Sequence, residues 1–157
     1  MLLLLAGLGT LALAGQPLSK NGEAEVRGYS LSLKNRDGKC VLSYEGRGRQ
    51  GEFTMGLPAP CEFVRDHKGA PQVRSYYNKK VYGGPYSVLI VTGGPIDTSQ
   101  SDQFMKDGCG TQIQAVMVRT SGVIIKKTVL GANRSGPTVC PSAGTDEKVY
   151  EWLSLSK

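Results

Sequence analysis

The stretch Gly83-Gly-Pro-Tyr-Ser-Val-Leu-Ile-Val-Thr-Gly-Gly-Pro95 carries one apolar run, Val88-Leu-Ile-Val91, between two Gly-Gly-Pro triplets. Four consecutive aliphatic residues leave no polar side to turn toward water, so a strand built from them must be covered on both faces. Glycine and proline punctuate the run at each end and keep it to strand length. It reads as the central strand of a layered, β-rich fold whose remaining elements supply the covering layers.

Upstream, Tyr29-Ser-Leu-Ser-Leu33 alternates apolar and polar residues, the mark of a half-buried strand. Lys34-Asn-Arg-Asp-Gly38 reads as a turn, because Asp-Gly accepts the positive φ that a tight hairpin needs, and 39–45, which holds Cys40, reads as the returning strand. Gly46-Arg-Gly-Arg-Gln-Gly51 reads as a flexible basic loop before a short strand over 52–55, and Leu57-Pro-Ala-Pro60 denies regular pairing up to Cys61. Further strands are expected over 62–65 and 73–81, with Asp66-His-Lys-Gly69 as a turn between them. Residues 96–108 form a long polar loop, and 112–119 and 123–130 flank Thr120-Ser-Gly122 as a second hairpin, with Lys126 and Lys127 on opposite faces. Near the end, Thr145 reads as the cap of a helix whose positive pole suits Asp146 and Glu147, and Val149, Trp152 and Leu153 read as its sheet-facing side. The expected fold is mainly β, an antiparallel β-sandwich or small barrel of about seven strands with one short C-terminal helix.

Residues 1–14 make a leucine-rich run shorter than the roughly 20 residues a membrane-crossing helix needs. It ends in Ala12-Leu-Ala14, the small-x-small pattern of a cleavable signal peptide, although no lysine or arginine precedes the leucines. Cleavage is expected near Ala14/Gly15, leaving 15–157 as a single exported domain, periplasmic or secreted. Gln16 stands where a lipoprotein would need cysteine, so lipidation is not expected. The four cysteines, Cys40, Cys61, Cys109 and Cys140, allow three pairings. Cys40 with Cys61 and Cys109 with Cys140 are favoured, each closing a loop worth about 3 kcal/mol in the chain-entropy account. A zinc site is disfavoured, since there is no CxxC pair and a single histidine, His67.

No catalytic set is legible. Asp66-His67 lacks a serine presented on a nucleophile elbow, and no phosphate loop, zincin helix or dinucleotide fingerprint occurs. A binding module without catalytic activity, metal or cofactor is therefore expected. The net charge of +6 attracts acidic partners or anionic surfaces. Arg74-Ser-Tyr-Tyr-Asn-Lys-Lys80 interleaves aromatic and basic residues, a pattern that in a cytosolic chain would suggest nucleic acid and in an exported one suggests a protein contact. Arg74, Tyr76, Tyr77, Lys79, Lys80, Tyr82 and Tyr86, with Arg47 and Arg49, form the candidate partner-binding set. The leading expectation is an immunity or inhibitor protein that neutralises an acidic secreted effector or hydrolase. The alternatives are an envelope accessory protein holding anionic lipopolysaccharide or peptidoglycan, and a hydrolase with an unfamiliar site. On this reading non-reducing peptide mapping recovers Cys40 linked to Cys61 and Cys109 linked to Cys140, with no free thiol.

Overall fold

Three two-residue turns, spaced ten residues apart, shape the first half of the chain. Arg27-Gly28, Asp37-Gly38 and Arg47-Gly48 each place both residues at positive φ: 53° and 79°, 51° and 74°, 51° and 71°. That pairing is the type I′ hairpin geometry, which matches the twist of the strands it joins. The computed structural model describes residues 22–95, 109–131, 139–140 and 144–156. The expected leader, its cleavage position and the polar loop over 96–108 lie outside the described residues.

The turns connect β1 (Glu23–Val26), β2 (Tyr29–Arg36), β3 (Lys39–Gly46) and β4 (Arg49–Pro58) into an antiparallel meander. The basic stretch expected to be a loop is thus a tight hairpin. Gly46 at its entrance permits close strand approach, since a Cβ there would stand 2.1 Å from the Gly28 carbonyl oxygen.

The second sheet holds β5 (Cys61–Phe63), β6 (Arg74–Asn78), β7 (Gly84–Pro95), β8 (Gly110–Arg119) and β9 (Gly122–Leu130). All its pairings are antiparallel; β5 and β6 share one edge of β7, and β8 then β9 follow on the other. Nine strands are thus present among the described residues where about seven were expected.

Val88, Leu89, Ile90 and Val91 have no solvent exposure. Leu89 and Val91 pack toward the first sheet with Leu31, Leu42, Leu57 and Phe63. Val88 and Ile90 pack on the opposite side with Tyr150 and Leu153 of α2 (Glu147–Leu155). The result is a sandwich of two sheets with a helix over the outer face of the second. Gly84-Pro85 and Gly93-Gly94-Pro95 lie within the ends of β7, and Gly93 is where β4 comes closest: a Cβ there would stand 2.6 Å from the Pro58 carbonyl oxygen.

Two helical details differ from the sequence reading. The strand expected over 73–81 stops at Asn78, whose side chain accepts from the Val81 amide and starts a single turn, α1 (Lys79–Tyr82). Gly83, at φ 73°, ends it in the left-handed conformation. In α2 the cap is Asp146 rather than Thr145; the Asp146 side chain accepts from the Lys148 amide, while the Thr145 backbone bonds to Gln72. Tyr150 occupies the buried face, and Trp152, expected to dock, is 52% exposed.

Cys40 pairs with Cys61 and Cys109 with Cys140. The first bridge joins β3 to β5 and so staples the two sheets; the second ties Cys140, ahead of α2, to the start of β8.

A buried side chain closes the gap between β4, β8 and β9. The β8–β9 ladder is irregular between Gln114 and Val116, and the Gln114 amide bridges the break. Its Nε2 donates to the Lys126 carbonyl at 2.7 Å, and its Oε1 accepts from the Gly56 amide at 2.9 Å. Gln114→Leu keeps the volume but strands both backbone groups, so denaturant unfolding should show a loss of about 2 kcal/mol; a loss below about 0.5 kcal/mol would show the clip to be dispensable.

Candidate partner-binding surface

The hairpin tips carry arginines that the fold holds in a costly conformation. A side chain in the left-handed region costs roughly 1–2 kcal/mol relative to glycine, yet Arg27 and Arg47 both sit there. Such strain in a native structure points to use. The Nε of Arg27 donates to Ser87 Oγ at 2.8 Å, and the Nε of Arg47 donates to the Arg27 carbonyl at 2.6 Å. The Arg49 guanidinium donates to the Ser121 carbonyl, and Tyr29 Oη to the Thr120 carbonyl at 3.3 Å. These bonds draw the 27–28, 47–48 and 120–121 turns to one end of the sandwich.

Among the described residues the ion pairs are Arg36 with Glu52 and Arg65 with Glu62, so Arg27, Arg47 and Arg49 have no carboxylate partner there. Arg27 and Arg47 each commit Nε to the protein, which orients the two Nη groups as a fork of the kind that grips a carboxylate bidentately.

The candidate residues divide into three groups. Arg47, Arg49, Lys79, Lys80 and Tyr77 come to the same end: α1 follows Asn78, which pairs with Gly84 at the start of β7, and Tyr86 pairs with Arg119, next to the 120–121 turn. Tyr77 is 70% exposed. Tyr76, Tyr82 and Tyr86 instead belong to the core on the helix side. The Tyr82 and Tyr86 rings lie 4.7 Å apart, those of Tyr76 and Tyr86 5.6 Å apart, and Tyr82 Oη donates to the Ser154 carbonyl. Lys126 extends over the Tyr82 ring, 5.9 Å from its centre, and partial burial lowers its pKa. Arg74 lies farther along β6, opposite Val88. Arg27 completes the tip and escaped the sequence reading; the ten-residue spacing of the x-Gly pairs was the signal for it.

Two concavities lie elsewhere. The outer face of the first sheet forms one of about 630 Å³, floored by Ser30, Ser32 and Ser43. Across its strands run two rows, Glu23–Ser32–Ser43–Glu52 and Glu25–Ser30–Glu45–Gln50. The hydrogen bond from Arg36 holds Glu52 below the usual carboxylate range. The second concavity, also about 630 Å³, includes Asp66, His67, Arg74, Thr145 and Asp146 in its lining. There the Asp66 carboxylate accepts from the Lys68 and Ala70 amides, which lower its pKa, so it is occupied in shaping its own turn. No serine or cysteine is among the residues described in that lining.

No protein-family model, curated protein or solved structure matches this chain. Arg47→Gly relieves left-handed strain while losing one hydrogen bond, so thermal unfolding should place its stability within about 1 kcal/mol of the wild type. A larger loss would mean that Arg47 serves the fold rather than the surface.

Proposed function

We propose that this chain is an exported binding module with no chemistry of its own, an immunity or inhibitor protein whose arginine-bearing tip docks an acidic partner protein. The observation that carries this reading is the trio Arg27, Arg47 and Arg49. It is fixed at one end of a disulfide-braced sandwich by carbonyl and hydroxyl acceptors, with guanidinium groups left for an outside anion. A side chain that is already ordered loses less freedom on binding, and a two-toothed fork gives geometric selectivity for carboxylates.

Charge distribution supports the same orientation. On the outer face of the first sheet Arg36 is paired with Glu52, and Glu23, Glu25 and Glu45 share that face, so the tip, whose arginines have no carboxylate partner among the described residues, is the stronger attractor for an acidic partner. The two disulfides are compatible with an oxidising compartment. No helix among the described residues is long and apolar enough to cross a membrane.

The test is affinity capture from periplasmic extract at low and moderate salt, comparing wild type with R47E/R49E. The wild type should retain an acidic protein, and the double variant should bind that protein at least about tenfold more weakly. Undiminished capture by R47E/R49E would remove the tip from the interface, and no retained protein at either salt would remove the reading.

A further inference from the structure

The large apolar side chains left exposed among the described residues are Val73, Tyr77, Val81, Trp152 and Leu155. All five lie on or beside β6, α1 and α2. Val81 is 61% exposed, and Trp152 and Leu155 are each 52% exposed. The bond from Tyr82 Oη to the Ser154 carbonyl fastens α1 to the last turn of α2, and Val81 and Leu155 are the chain neighbours of those two residues. Lys148, Trp152 and Leu155 follow one another at spacings of four and three, which places them on one side of α2, away from the buried Tyr150, Leu153 and Ser154.

Lysines border this surface. Lys79 and Lys80 are exposed on α1, Lys148 is exposed on α2, and Lys126 stands over the Tyr82 ring. The acidic residues of α2, Glu147 and Glu151, act on the flank toward Tyr76, whose hydroxyl pKa both raise in addition to the larger effect of desolvation. A half-exposed tryptophan and leucine on one side of α2, with an exposed valine on the α1 turn bonded to that helix and lysines on both, is the composition of a side that lies in a membrane interface, with the apolar groups at the acyl boundary and the ammonium groups among phosphates. The charge of +6 disfavours a second copy as the covering partner.

We propose that the α1–α2 side docks peripherally on an anionic phospholipid surface. Trp152, Leu155 and Val81 reach the acyl boundary, while Lys79, Lys80 and Lys148 contact lipid phosphates. Lys79 and Lys80 lie at the end of the sandwich that also carries the arginine tip, but Trp152, Leu155 and Lys148 belong to α2, so comparing V81S/L155S with R47E/R49E separates the two contacts.

Trp152 is the chain's single tryptophan, so its emission reports the contact directly. Vesicles of phosphatidylethanolamine with phosphatidylglycerol should shift that emission to the blue and carry the protein down on sedimentation. Phosphatidylcholine vesicles should do neither, and high salt should reverse the effect. V81S/L155S changes two exposed positions and should keep the circular dichroism of the wild type while weakening vesicle binding at least about fivefold. K79E/K80E should weaken it at least about tenfold. The proposal is overturned if the anionic vesicles leave the emission unchanged or if V81S/L155S binds them as well as the wild type. It is overturned equally if the blue shift appears on raising protein concentration without lipid, which would make a second copy the occupant.

Discussion

The constraint on which this structure depends is the burial of β7 on both faces. Burying an aliphatic side chain of this size is worth about 1.5–3 kcal/mol, and four in a row that have lost all solvent contact require a layer on each side. The first sheet covers Leu89 and Val91, and α2 covers Val88 and Ile90. Other features follow from keeping those layers close. Gly93 has no Cβ where β4 presses in, and the Cys40–Cys61 bridge crosses between the sheets beside that approach. The sharing of one β7 edge by two short strands frees the intervening chain to reach the start of α2, where Gln72 bonds the Thr145 backbone and accepts from Tyr150 Oη.

Much of this was legible in the residues because the signals were local and agreed with one another. The Val88–Val91 run, the alternation over 29–33, the Asp37-Gly38 turn and the cysteine spacing each pointed to what is found. The failures share a physical origin. Arg47-Gly48 looked like a flexible loop because a tight turn of this type normally begins with asparagine, aspartate or glycine, and arginine there is paid for by tertiary bonds that no short window shows. Asn78 turned a strand into α1 through one side-chain bond, and Asp146 rather than Thr145 caps α2, its side chain accepting from the Lys148 amide while Gln72, distant in sequence, holds the Thr145 backbone.

The candidate contact residues show the same limit. Tyr76 and Tyr77 are adjacent in sequence but point to opposite faces of β6, so one packs on Tyr86 while the other faces solvent. An aromatic-basic stretch announces large contact area without saying which face the rest of the protein has covered. Likewise Trp152 lies one position before Leu153, close enough that helical spacing admits it to the buried face, yet Tyr150, Leu153 and Ser154 fill that face and turn Trp152 outward.

Net charge was the least reliable guide, because it says nothing of arrangement. The +6 is spread unevenly: the outer face of the first sheet mixes Glu23, Glu25 and Glu45 with an Arg36–Glu52 pair, and the arginines without a carboxylate partner among the described residues gather at one end, next to it along β1 and β3. Glu25 is two residues from Arg27 and Glu45 two residues from Arg47, and no ion pair forms between them. On a strand that spacing would put both side chains on one face, where opposite charges meet readily. The left-handed turn conformation removes the arginines from that register and aims them along the sandwich instead, where Ser87 and the Arg27 carbonyl receive their Nε groups. The conformational cost at the tips is therefore what keeps the cations from being neutralised by their own sheet, and it leaves one end of a domain with intermixed charges presenting guanidinium groups that no carboxylate of the described residues engages.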